Sequence, residues 1–143
     1  MLPSQKSVQR MLIVLFVCAL LIIFVGAWRK QTDARSSHVS RQLTVFTLDL
    51  QNWMGTTGRI PGLTLAESLR QLAESKEAAG QIAFSRYPVI FENRDPWGHS
   101  LVYEVRQSEG RIVVRSVGRN GLDEYGKGDD IQAEAILPAT LRP

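Results

Sequence analysis

Apolar residues follow three patterns along this chain: an unbroken run, then a recurrence at every third or fourth position, then alternation. The run is MLIVLFVCALLIIFVGAW, 18 residues from Met11 to Trp28 with no charge inside. That is just enough helix to cross a bilayer core about 30 Å thick. Trp28 and Arg29-Lys30 suit the interface that follows. Next, Val39, Leu43, Phe46, Leu50 and Trp53 recur at spacings of 4, 3, 4 and 3, the apolar stripe of an amphipathic helix. No Pro or Gly lies between Ala27 and Met54. The pattern therefore predicts one helix from about Met11 to Met54, stopped by Gly55. The alternative is two helices broken near Ser36-Ser37.

A turn with Pro61 and two glycines leads to a second helix, opened by the capping box Thr64-x-x-Glu67 and faced by Leu65, Leu69 and Leu72. Gly80 ends it. Residues 81–94 show no period. They read as a loop that packs through Phe84, Tyr87, Ile90 and Phe91. The last third reads as β. Leu101, Tyr103 and Val105 alternate with Val102 and Glu104, and Gln107-Ser108-Glu109-Gly110 is a turn. Arg111 to Val117 is a second strand, and Ile131, Ala133, Ala135 and Leu137 mark a third. Three antiparallel strands packed on a long helix can support themselves where a hairpin cannot. The predicted class is α+β: a long N-terminal helix, transmembrane in its first half, packed on a small antiparallel sheet. The expected divisions are a cytoplasmic N-terminus at 1–10, the membrane helix at 11–28, its amphipathic continuation at 29–56 and a globular part at 57–143.

With 143 residues the chain has room for one small domain and an anchor. The formal charge of +3 changes little. Lys6 and Arg10 precede the apolar run, which leaves 15 basic and 14 acidic residues after it. No basic stripe with interleaved aromatics appears, so nucleic acid is excluded as an expected partner. The single cysteine, Cys18, excludes an internal disulfide and a cysteine-based zinc site. A cleavable signal peptide is the rival reading of the apolar run, with Val25-Gly26-Ala27 as its cleavage site. Arg29-Lys30 and the continuing helix weigh against it. The basic residues Arg29, Lys30, Arg35 and Arg41 outnumber Lys6 and Arg10, which by the positive-inside rule alone places the C-terminus in the cytoplasm.

Candidate chemistry lies in Ser116-Val117-Gly118-Arg119-Asn120-Gly121-Leu122-Asp123-Glu124-Tyr125-Gly126-Lys127-Gly128-Asp129-Asp130-Ile131. Oxygen-bearing side chains alternate there with four glycines. Carboxylates and a carboxamide on a tight backbone curl converge naturally on a hard cation such as Ca²⁺. Asp123 is a candidate ligand on these grounds. The alternative is a solvated Gly/Asp turn. Upstream, Asp95-Pro96-Trp97-Gly98 reads as a turn: Asp and Pro favour it, Trp97 anchors the core and Gly98 frees the backbone. Asp95 and His99 could be drawn as an acid/base couple, but no nucleophile motif accompanies them. His38 falls on the polar side of the helix stripe. No phosphate loop, serine elbow or His-x-x-x-His appears, so neither an enzyme nor a small-molecule substrate is expected.

In this order — membrane helix, amphipathic helix ending in Gly-Arg-Ile-Pro, variable loop, Asp-Pro-Trp-Gly, hairpin, Ser-Val-Gly-x-Asn-Gly…Gly-x-Gly-Asp-Asp-Ile — the chain resembles the major pseudopilin of type II secretion, a type IV pilin relative. The resemblance covers roughly residues 11–131. It implies a calcium loop with carbonyl oxygens from Val117 and Leu122, the Asn120 side chain in place of an aspartate, and carboxylates from Asp129 and Asp130. One departure is clear. Pilins and pseudopilins carry a Gly-Phe-Thr-Leu-Leu-Glu-like processing site before the apolar helix. Here Val8-Gln9-Arg10-Met11 stands there, and the apolar run holds no Glu. The resemblance implies a structural subunit at the bacterial inner membrane, with pseudopilin-like subunits or secretion machinery as partners. The alternative is a single-pass interaction or sensor module that uses the fold without polymerising. Calcium is scarce in the cytosol, so a calcium loop overrides the charge bias and puts the C-terminal domain outside the cytoplasm.

Overall fold

A computed structural model describes residues 5–78 and 88–143, with side chains from Leu12 to Ser75 and again from Pro88. The chain divides into two compact units, Met1–Arg35 and Ser36–Pro143. Helix α1 (Gln5–Thr57) runs through the division, followed by α2 (Leu65–Ala78) and α3 (Pro88–Glu92). The strands are β1 (Val102–Arg106), β2 (Arg111–Ser116) and β3 (Ile131–Ile136). The α+β class and the three-stranded sheet agree with the sequence pattern. In the first unit, Leu12, Phe16, Ile22 and Phe24 stand exposed along α1. This segment is long and apolar enough to cross a membrane.

In the second unit the helical stripe becomes core. Val39, Leu43, Phe46 and Leu50 are fully buried, and Trp53 and Met54 are buried after them. They pack with Ile112, Val114 and Ala135 from the sheet and with Leu137 just after it. Helix α1 does not stop at Gly55. Its cap is Gly58, at φ +64°, whose N–H donates to the Met54 carbonyl at 3.0 Å. A left-handed residue with that bond is what ends a helix, and Gly55 adopts no such conformation. Helix α2 begins at its predicted cap, where the Glu67 N–H donates to Thr64 Oγ1 at 3.2 Å.

The segment read as a loop contains α3. Val89 and Ile90 are buried there, whereas Phe91 is exposed, contrary to expectation. Phe84 and Tyr87 lie outside the described residues. A polar group on α1 fixes α3: the Val89 N–H donates to the buried Gln42 Oε1 at 2.9 Å. His38 is exposed and hydrogen-bonded to Gln42.

The strand order is β1-β2-β3, antiparallel throughout. Val102 faces Arg115 and Arg106 faces Arg111 across the first pair; Arg111 faces Ile136 and Ser116 faces Ile131 across the second. Strand β2 is central and mostly buried. The loop from Val117 to Asp130 therefore leaves the middle strand and returns as an edge strand.

Deleting the buried Phe46 ring tests this packing. Phe46→Ala should lower the unfolding free energy of the detergent-solubilised protein by about 3–5 kcal/mol. Leu48→Ala, on the exposed side of the same helix, should change it by under about 0.5 kcal/mol. Equal losses in denaturant titrations would contradict the assignment of the buried face.

Candidate functional site

Two polar centres organise the glycine-rich loop. The first grows from Asp95-Pro96-Trp97-Gly98. The bridge between Arg94 and Ser100 and the bond from the Asp95 N–H to the His99 carbonyl, 2.9 Å, close this stretch into a tight turn. Asp95 is buried. Its Oδ1 accepts from the backbone N–H groups of Trp97 at 3.0 Å and His99 at 2.9 Å. Its Oδ2 accepts from the Ser116 hydroxyl at 2.7 Å. Ser116 is the last residue of β2, and its Oγ also accepts from the Gly118 N–H at 3.2 Å. His99 Nδ1 lies 2.9 Å from the Gly118 carbonyl. The four-residue motif thus binds the entrance of the loop. His99 Nδ1 also stands 3.7 Å from Asp95 Oδ2, and the other partners of both side chains are backbone groups and the Ser116 hydroxyl, which tie the turn to the loop. Trp97 packs on the core but is only half-buried, less than the expected anchor.

The second centre is Arg115, whose side chain is fully buried on the central strand. Its Nε and Nη2 each donate to Asp123 at 2.8 Å, a two-pronged ion pair. Nη2 also reaches Glu104 on β1 at 3.2 Å, and Nη1 reaches Gln132 on β3 at 3.3 Å. Tyr125 lies over the guanidinium, 5.6 Å from ring centre to carbon. Asp123, a sequence candidate for the metal, is thereby occupied. The Arg115 hydrogen bonds hold its carboxyl below the ordinary carboxylate range, and the same bonds raise Arg115.

The residues implied as ligands separate into groups. Asp129 Oδ2 accepts from the N–H groups of Arg119 at 2.7 Å and Asn120 at 2.9 Å. Asp130 Oδ2 accepts from Glu124 N–H at 2.8 Å and Gly126 N–H at 3.0 Å. Its other oxygen, Oδ1, is buried with no hydrogen-bond partner among the described residues. Asn120 turns its Oδ1 to the Leu122 N–H at 2.7 Å. Val117 is buried and the Leu122 side chain is exposed. Glu124, next to Asp123 and not among the expected ligands, joins Asp129 and Asp130: one carboxylate oxygen of each lies within 4.8 Å of the others. Gly118, at φ +64°, permits this closure, because a Cβ there would run into the Asp129 backbone. Three neighbouring carboxylates, one of them with a buried oxygen left unpaired, suit a hard cation, and the donor set is all oxygen.

The comparison with protein families decides the wider question. A model of the type II secretion system (T2SS) protein G family matches residues 27–134. The chain belongs to that family. This agrees with the pseudopilin resemblance of the motifs. The match takes in Asp95–Gly98, the hairpin and the whole loop, and it begins at the end of the apolar run. Neither the curated proteins nor the solved structures yield a match.

Asp95→Ala should destabilise the protein by about 1–3 kcal/mol for each donor it strands. Trp97→Ala should cost roughly half of the ~3–5 kcal/mol typical of a fully buried aromatic. Thermal melts of the two variants should therefore rank Asp95→Ala as the more damaging, and the reverse order would refute the hub. A depressed carboxyl contributes stability that is complete above its unfolded value, about 4, and lost as pH falls through the folded value. The Arg115–Asp123 contribution should thus vanish in acid. Asp123→Asn should flatten the acid limb of the melting-temperature profile; an unaltered limb would show that the pair does not stabilise the fold.

Proposed function

We propose that this chain is a membrane-anchored, pseudopilin-like structural subunit of type II secretion whose C-terminal loop is braced by Ca²⁺. The observation that carries the reading is the family match over residues 27–134, adjoining a helix apolar enough to serve as a single-pass anchor. The protein sits in the bacterial inner membrane with the domain on the periplasmic side. It works by assembling with other pseudopilin-like subunits and secretion machinery, and performs no catalysis.

The calcium part rests on the loop. Asp129 and Asp130 supply carboxylates, Val117 and Leu122 carbonyl oxygens and Asn120 its amide oxygen, as the resemblance implies. The buried, unpaired Asp130 Oδ1 supports it, since such an oxygen is costly unless something binds it. The cation would neutralise adjacent carboxylates and tie the two ends of the loop together. Millimolar calcium outside a cell fills extracellular sites with Kd of about 10⁻⁴–10⁻³ M, and cytosolic calcium does not. This favours an N-in, C-out anchor over the charge bias. The sequence Val8-Gln9-Arg10-Met11, with no Glu in the apolar run, favours a second reading: an anchored interaction module that does not polymerise.

Proteolysis of spheroplasts should degrade the domain while the membrane remains intact; protection until lysis would reverse the orientation. Calcium at tenfold Kd should raise the unfolding free energy by about 1.4 kcal/mol. Asp129→Ala or Asp130→Ala should abolish that gain. Identical wild-type melts in 5 mM Ca²⁺ and in excess chelator (a probe range matched to millimolar sites, about 5 mM) would refute the metal. Cross-linking between copies in membranes would exclude the non-polymerising alternative.

A further inference from the structure

We infer that Glu124 is the third carboxylate ligand of the loop's cation, an assignment that rests on the calcium reading above. Three observations converge on it. A carboxylate oxygen of Glu124 lies within 4.8 Å of its counterparts on Asp129 and Asp130. Asp130, whose side chain has no exposure, leaves Oδ1 buried and unpaired within the same trio. Glu124 is also held in place: its Oε2 accepts from Asn120 Nδ2 at 3.2 Å and from the Asp129 N–H at 3.4 Å. Gly128, at φ +60°, leaves room for that carboxylate, because any Cβ there would collide with it.

The charge balance gives the reason for a third carboxylate. Arg115 Nε stands 3.8 Å from Asp130 Oδ2 and offsets part of the charge of Asp130. Asp123 is spent on the same guanidinium. Asn120 brings no charge, and its oxygen already accepts from Leu122 N–H. Two carboxylates beside a buried cation make a weak site for a divalent ion. Glu124 restores the negative charge that the ion needs, and ligand charge is one of the factors that set calcium affinity. Besides the amide oxygen that the resemblance assigns to the ion, Asn120 steers Glu124 through its amide nitrogen.

Without metal, the same three carboxylates repel one another. Glu124 therefore has opposite effects in the two states. It destabilises the metal-free loop and stabilises the calcium-bound one. A side chain with only a structural role would act with one sign in both.

The test uses the full chain in detergent and Ca²⁺ itself, by titration calorimetry and by melting in chelator and in calcium. Glu124→Gln keeps an oxygen for the Asn120 and Asp129 donors and removes only the charge. It should weaken calcium binding by about tenfold or more. It should leave the melting temperature in chelator unchanged or higher, and shrink the calcium-induced rise. Wild-type affinity retained in Glu124→Gln, with Asp130→Asn abolishing binding, would overturn the assignment while leaving the calcium reading intact. A lower melting temperature in chelator, with an undiminished calcium-induced rise, would make Glu124 structural and overturn it as well. If the wild type itself binds no calcium, the calcium reading fails, and this assignment with it.

Discussion

A cation buried inside the domain is the constraint on which the loop depends. The Arg115 side chain has no exposure and cannot shed its proton, so its charge must be matched where it stands. Removing an ion of this size from water carries an effective penalty of several kcal/mol, recovered only through good geometry and saturated hydrogen bonding. Arg115 meets that demand by reaching β1 at Glu104, β3 at Gln132 and the loop at Asp123. One guanidinium thereby ties all three strands to the connection that joins the last two. Tyr125 over its face shields it further.

A buried anion does the corresponding work at the other end. Asp95 gathers two backbone N–H groups of its own turn and the hydroxyl of Ser116. The motif Asp95–Gly98 and the start of the loop are thus one unit, although about twenty residues separate them in sequence. His99 adds a bond to the Gly118 carbonyl. Between Asp95 and Arg115 the loop is held at its entrance and along its middle before any metal is considered. A calcium ion at Asp129 and Asp130 would then brace the return to β3. The division of labour is economical in charge: each carboxylate in the region has either a protein partner or a place near the proposed cation.

On the proposed reading of this T2SS protein G family member as an assembling subunit, this has a consequence for assembly. An exposed loop rich in glycine loses much conformational freedom on ordering. A subunit that assembles, as proposed, would benefit from fixing that loop with ion pairs and with a cation available only outside the cytoplasm. The apolar part of α1 and the packed stripe that follows divide the helix between two environments. Val39, Leu43, Phe46 and Leu50 are sheathed by the domain, whereas Leu12 to Val25 present apolar side chains outward.

Apolar spacing determined α1 and the strands, whereas α3 lies in a segment without a period. A 4-3-4-3 spacing from Val39 to Trp53 can bury one face only as a helix, while alternation through Tyr103 and Ala133 and the β-branched run at Ile112 to Val114 point to strands. The motifs, taken in order, were also sufficient to show the pseudopilin relationship. What the sequence could not show were choices among chemically similar residues. Gly55 and Gly58 are equally good helix stops until one of them adopts positive φ and meets the Met54 carbonyl. Phe91 and Ile90 are equally apolar, but the short helix turns Val89 and Ile90 inward and leaves Phe91 in solvent. Asp123 and Glu124 are adjacent acids on one loop, yet Arg115 takes the first and leaves the second beside Asp129 and Asp130. Local spacing sets which face is apolar. Which carboxylate meets a buried cation depends on residues brought together from three strands, and only the tertiary structure decides that.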